Sequence, residues 1–310
     1  MNRKTGMNNK KRKEKPALRQ GISKKTGLTI FTLVMLIMGV IIACYHNPLA
    51  NQTDELIKKI IACTLIAAAV VAVLKFYDKI ILLPFELYQN RRLIWRLAKN
   101  DFKRRYAGSY MGGIWAMVQP VVTVAMYYVV FQVIMPQKAQ LLGDGIEVPY
   151  LVFLTAGLVP WFYFSEALTN GMMALLEYEY LVKKVVFKIS ILPIIKIIAA
   201  TFIHGFFVLV LLIIAFFYGF TPSLYTLQTF YYSFCMFALV LAISYTTCSV
   251  VIYFRDLQQI VGIGLQIGMW ATPVLWQLGT LSKKAQMLVK INPLVYIVEG
   301  YRSSIYAKQW

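Results

Sequence analysis

ELYQNRRLIWRLAKNDFKRRYAGSYMGGIWAMVQP, running from Glu86 to Pro120, is a basic amphipathic segment that passes through a glycine turn into a long apolar run. Read as a helix from Leu87 to Tyr106, it carries Leu87, Ile94, Trp95, Ala98 and Phe102 on one face. The opposite face carries Arg92, Arg96, Lys99 and Lys103, while Arg91, Asp101 and Arg105 interrupt the apolar side. Lys and Arg on one side with Trp, Phe and Leu on the other suit the membrane interface, where the charges stay in headgroup water. Ala107-Gly108-Ser109 and Gly112-Gly113 then let the backbone turn. From Ile114 to Met135 there are 22 residues without a charge, enough to cross a bilayer. Such a helix either precedes a span as a surface element or docks a partner, and its geometry fits both.

Composition places the chain among polytopic membrane proteins. Of 310 residues 59% are hydrophobic, mean hydropathy is +0.62, and the net charge is +19. In a soluble protein that charge would suggest nucleic acid. Here the Lys and Arg flank apolar runs, which fits anionic lipid and orientation, with no nucleic-acid partner. Cys44, Cys63, Cys235 and Cys248 lie in apolar runs without metal-ligand spacing and are expected as buried thiols. A disulfide between Cys44 and Cys63 would require their helices to pair.

The predicted fold is an all-α, polytopic helical bundle with an amphipathic interface helix. Residues 1–26 hold ten Lys and Arg against Glu14 alone, a basic cytoplasmic tail. Residues 27–76 form a transmembrane hairpin, from the uncharged Leu28–His46 and the shorter run Ile60–Leu74. Residues 77–310 form the main membrane domain: an interface helix at 86–107, spans at about 114–135, 148–176, 195–220, 224–254 and 257–278, and an outer segment from 279 to 310. The uncharged stretch Ile197–Phe254 is too long for one crossing and divides at Thr221-Pro222-Ser223. With the N-terminus inside, 23 Lys and Arg fall inside and eight outside, Lys196 lying just within a span. That bias supports a multi-pass membrane protein with a cytoplasmic N-terminus.

Glu166 and His204 are polar groups within apolar spans. A lone carboxylate there faces a cavity or pairs across the bundle, and a lone His most often serves hydrogen-bonded structure. Glu177 to Lys184, EYEYLVKK, returns to the cytoplasmic side between two spans. Its mixed acids, aromatics and bases suit a docking helix made of Glu177, Tyr178, Glu179, Tyr180, Leu181, Val182, Lys183 and Lys184; a solvated loop is the alternative.

LAKNDFKRRYAGSYMGGIWAMVQP resembles the start of the membrane subunits of ABC-2 type exporters, in particular those that carry lipid-linked polysaccharides, O-antigens or teichoic acids out of bacteria. The matching residues are Asp101, Phe102, Lys103, Arg105, Tyr106, Gly108, Ser109, Gly112, Trp115 and Pro120. Four further matches follow in order: LVKKVVFKISILP (Leu181 to Pro193), YFRDLQQIV (Tyr253 to Val261), ATPVLW (Ala271 to Trp276) and INPLVYIVEGYR (Ile291 to Arg302). The resemblance implies a homodimer of membrane subunits paired with two copies of a separate ABC-type ATPase, which would hold ATP and Mg. It implies that Glu177–Lys184 couples to that ATPase and that Arg92, Arg96, Lys99, Asp101, Lys103, Arg105 and Tyr106 belong to the interface helix. It implies that the third and seventh spans line the channel, so Trp115, Tyr127, Tyr128, Phe131, Trp270 and Trp276 are candidates for stacking on sugar faces. The same rings could instead form interfacial belts. It also implies a further helix after INPLVYIVEGYR, so the chain is expected to stop short of its last span or to fill that gap with its N-terminal hairpin.

The sequence has no G-x-x-x-x-G-K-[ST], no H-E-x-x-H and no G-x-S-x-G. No cofactor is therefore expected in this chain, and the energy for transport would come from another subunit. Two alternatives are an embedded glycosyl- or acyltransferase using Glu166 or His204, and an ABC-2 exporter of drugs or peptides.

Overall fold

The computed structural model describes residues 24–44, 52–136, 139–141, 147–180 and 188–308. The basic tail up to residue 23, Asp144, and Leu181, Val182, Lys183 and Lys184 of the candidate docking helix lie outside them. The chain divides into two compact units, one ending at Phe85 and one running from Glu86. Among the described residues six helices are long and apolar enough to cross a membrane: Thr26–Cys44, Glu55–Tyr77, Gly112–Ile134, Tyr150–Glu177, Ile189–Phe217 and Leu224–Val251. The fold is an all-α membrane bundle; among the described residues its β structure is the two-residue pairing of β1 (Gln140–Leu141) with β2 (Glu147–Val148).

The first unit is a helical pair. α1 (Lys24–Cys44) and α2 (Gln52–Gln89) are apolar nearly all round, and their side chains are largely exposed, as lipid-facing residues are. Cys44 and Cys63 are free and exposed. The expectation of buried thiols fails for these two, which lie among the largely exposed side chains of α1 and α2. α2 departs from helical geometry at Phe76 and contains Pro84, continuing past Phe85 into the second unit.

The second unit is built around α5 (Tyr150–Glu177). Leu, Phe, Val and Ala occupy every side of this helix, so it settles where protein surrounds it. Most of it is buried. α6 (Leu192–Phe217) and α7 (Gln228–Val251) pack along it. Gly171 makes the α5–α7 approach possible: a Cβ there would lie 2.8 Å from the Cβ of Ser244. α3 (Arg91–Arg105) lies against α6, and α4 (Trp115–Tyr128) continues into a wider turn through Ile134.

The remaining chain departs from the predicted layout. α8 covers Leu257–Ala271 only, about 22 Å of helix, so the span expected over 257–278 is not one helix. Pro273 is the cause: it biases Thr272 to an extended conformation, φ −91° and ψ 140°. Trp276 is therefore in the turn that follows, where its indole N–H donates to the Trp270 carbonyl at 3.0 Å. Residues 279–308 form two short helices, α9 (Lys283–Val289) and α10 (Pro293–Arg302), then a wide turn. α10 buries Leu294, Val295, Ile297, Val298 and Tyr301 against α5 and α7.

Candidate functional site

The interface helix begins later than its sequence suggests. Leu87 lies in the last turn of α2, Asn90 breaks the helix, and α3 starts at Arg91. Its buried face is Ile94, Ala98 and Asp101, spaced i, i+4 and i+7 as one helical side requires. Trp95 stays exposed, with one edge on Phe202 at 5.3 Å between ring centroids. Asp101, an apparent flaw in the apolar face, is thus its anchor.

Asp101 is 6% exposed. Its Oδ1 accepts a hydrogen bond from Lys196 Nζ at 2.7 Å and another from the Tyr178 hydroxyl at 2.7 Å. Lys196 also lies 2.5 Å from Glu177 Oε2 and 4.9 Å from the Tyr178 ring centroid. One buried ammonium therefore ties α3, the end of α5 and the first turns of α6 together. Burying these charges is costly, so the pair specifies geometry more than it adds stability. Burial and the Asp101 carboxylate both push the Tyr178 phenol up, which keeps it a donor. Arg105 continues the series: its Nε is 4.0 Å from Asp101 Oδ2 and its Nη1 is 2.6 Å from Glu166 Oε1. Five charges of alternating sign thus run from Glu177 to Glu166.

A second clasp sits beside the first. Ser190 Oγ donates to Glu86 at 2.6 Å and Lys188 approaches it at 3.3 Å. These contacts, the serine hydrogen bond foremost, hold the Glu86 carboxyl below the usual range. The Tyr245 hydroxyl donates to the Ser190 carbonyl, joining α7 to the same point.

Arg92, Arg96, Lys99 and Lys103 point outward and are exposed, whereas Tyr106 is half-buried. Of the docking stretch, Glu177 ends α5, Tyr178 is buried in the clasp, and Tyr180 is exposed. The sequence reading had no role for Lys196, Lys188, Ser190 or Glu86. A lone Lys ahead of 58 uncharged residues was the available signal for Lys196. The others needed tertiary structure.

Arg105, Tyr106 and Glu166 line a cavity of about 440 Å³ between α4, α5 and α6. The six aromatic channel candidates fall into separate groups. Tyr127 and Phe131 stack at 6.0 Å and lead through Tyr150 and Phe153 to the Arg302 guanidinium, 3.7 Å above Phe153. Trp115, Tyr128 and Trp270 are exposed, Trp270 at 69%, and Trp276 is held by Trp270 as described. His204 is buried, stacked on Tyr163 at 4.3 Å, with Nε2 2.9 Å from the Tyr301 hydroxyl and 3.2 Å from Ser233 Oγ. It fastens α10 to α6 and α7, while Glu166 belongs to the ionic series.

The sequence over residues 92–306 matches the family described as ABC-2 type transporter. Among relatives, it is 28% identical over 223 residues to the O-antigen export system permease protein RfbA of Myxococcus xanthus, covering 71% of this chain and 83% of that protein. It is 26% identical over 210 residues to the O-antigen export system permease protein RfbA of Klebsiella pneumoniae, covering 66% and 77% respectively.

Proposed function

We propose, from the premise that this chain belongs to the ABC-2 type transporter family, that it is the membrane subunit of an ATP-driven exporter of a lipid-linked cell-surface polysaccharide. The relatives named as O-antigen export permeases support the cargo class. The observation that carries the mechanism is the buried Asp101–Lys196–Glu177 clasp. A separate ATPase subunit, which would hold ATP and Mg, docks on the exposed basic face of α3 and on the stretch beginning at Glu177. Lys196 fixes that stretch to α3 and α6, so a push from the partner moves the three helix ends as one body. In this reading the α3 end of the bundle faces the cytoplasm, as does the N-terminus, and the membrane is the bacterial inner membrane.

A second copy of the chain covers α8. None of its described residues is buried, and Ile260, Ile263 and Ile267 form one exposed stripe at helical spacing. Trp115, Tyr127 and Trp270 offer rings to the sugar chain.

One purification tests the assembly. Co-expressed with its ATPase partner, the chain is expected to elute with two copies of each subunit. Reversing Arg92, Arg96, Lys99 and Lys103 to Glu should release the ATPase while membrane insertion persists. Retention of the ATPase by that variant would reject the docking face, and a single copy of the chain in the complex would reject the dimer.

A further inference from the structure

We infer that the cavity beside Arg105 binds the phosphate-bearing head group of the lipid-linked cargo, and that Glu166 holds its cation until that head group displaces it. The inference rests on the exporter reading above. The cavity has two kinds of wall. Phe162, Ile203 and Phe207 are apolar, whereas Asn170 offers an amide and Ser165 and Thr169 add polar surface, their hydroxyls donating to the Phe162 and Ser165 carbonyls. A ligand apolar at one end and hydrogen-bonding at the other satisfies both. Arg105 is the last residue of the amphipathic helix α3, which places its guanidinium at head-group depth.

Arg105 and Glu166 are the charged residues among those lining the cavity. The guanidinium fork accepts a carboxylate or a phosphate with the same geometry, and Glu166 Oε1 stands 2.6 Å from Nη1, where a phosphate oxygen would stand. Exposure separates this pair from its neighbour. The side chains of Asp101 and Lys196 are 7% and 8% exposed, a sealed structural contact. Those of Arg105 and Glu166 are 25% and 29% exposed, so an anion in the cavity can reach the guanidinium and compete for it. Asp101, 4.0 Å away on the same helix, keeps Arg105 aimed at the cavity while the exchange takes place.

The test is a titration of the purified full-length chain in detergent with geranylgeranyl diphosphate, followed by tryptophan fluorescence. Geranylgeraniol, inorganic diphosphate and phosphatidylglycerol are titrated alongside. The wild type should prefer geranylgeranyl diphosphate to all three. Arg105→Gln should weaken that binding about tenfold or more, the loss expected for one charge-assisted contact. Arg105→Lys, which keeps the charge but not the fork, should fall between the two. Glu166→Gln should tighten binding several-fold, because it removes the competitor; a merely structural carboxylate would not. Unchanged binding in Arg105→Gln, or weakened binding in Glu166→Gln, overturns the proposal. Equal affinity for inorganic diphosphate or phosphatidylglycerol overturns the assignment to a lipid-linked cargo. Binding is read on the isolated chain and export in cells. Normal export without diphosphate binding therefore counts against this site alone, and intact binding without polysaccharide export counts against the exporter reading alone.

Discussion

Lys196→Met is expected to destabilise the unit from Glu86 onward by about 3–5 kcal/mol, the usual cost of leaving one partner of a buried pair uncompensated. Without the ammonium, Asp101 keeps the Tyr178 hydroxyl as a donor but holds a full charge at 6% exposure. Glu177 suffers less, since nearly half of its side chain meets solvent. Adding Asp101→Asn should recover most of the loss, because the asparagine carbonyl still accepts from Tyr178 and no charge remains buried. Thermal unfolding of the wild type, the single and the double variant in one detergent decides the matter. A harmless single variant would show that the clasp is not a buried ion pair. A double variant no better than the single would show that the lost stability has another origin. ATPase coupling should fail in both variants, because the mechanical link through Lys196 is absent even where stability returns.

Gly157→Ala should damage the bundle through a single added methyl group. A Cβ at that position would lie 2.7 Å from the Val274 carbonyl oxygen, which is backbone and cannot rotate away, and 3.0 Å from Arg302 Nη2. Arg302 donates to that same carbonyl at 2.8 Å, so the methyl group strikes the joint that fastens α10 to α5. Overpacking of this kind costs about 1–3 kcal/mol. Hydrogen exchange across 293–302 should rise before that of α5 itself. Gly205→Ala is the control: nothing lies within 4 Å of a Cβ there, and alanine in mid-helix is neutral or favourable. If both variants behave alike, the close approach at Gly157 is not a constraint.

The helices of the bundle were legible because long uncharged runs have one physical outcome in a membrane. The all-α class and the broken run between Phe217 and Gln228 follow from that rule. The α8 region was misread for a local reason: hydropathy is continuous through Ala271-Thr272-Pro273, but backbone geometry is not. α3 was half legible. Its outward charges appear in the sequence as a periodic face, whereas Asp101 looked like an interruption because Lys196 is 95 residues away. Glu166 posed the same difficulty, since periodicity marks a polar group out of place and does not name its partner. The aromatic candidates dispersed because ring content reports affinity for interfaces as much as for sugars, and only packing tells the two apart.

Export by the reconstituted assembly is the most direct test of function. The chain is placed in proteoliposomes with its ATPase partner and the lipid-linked polymer, ATP is supplied on the ATPase side, and polymer reaching the opposite side is measured. ATP-dependent transfer is expected, slowed by Ala at Trp115, Tyr127 or Trp270 and lost when the ATPase is omitted, with no ATP bound by the chain alone. Stoichiometric ATP binding by the isolated chain, or an intact assembly that hydrolyses ATP and moves no polymer, would contradict it.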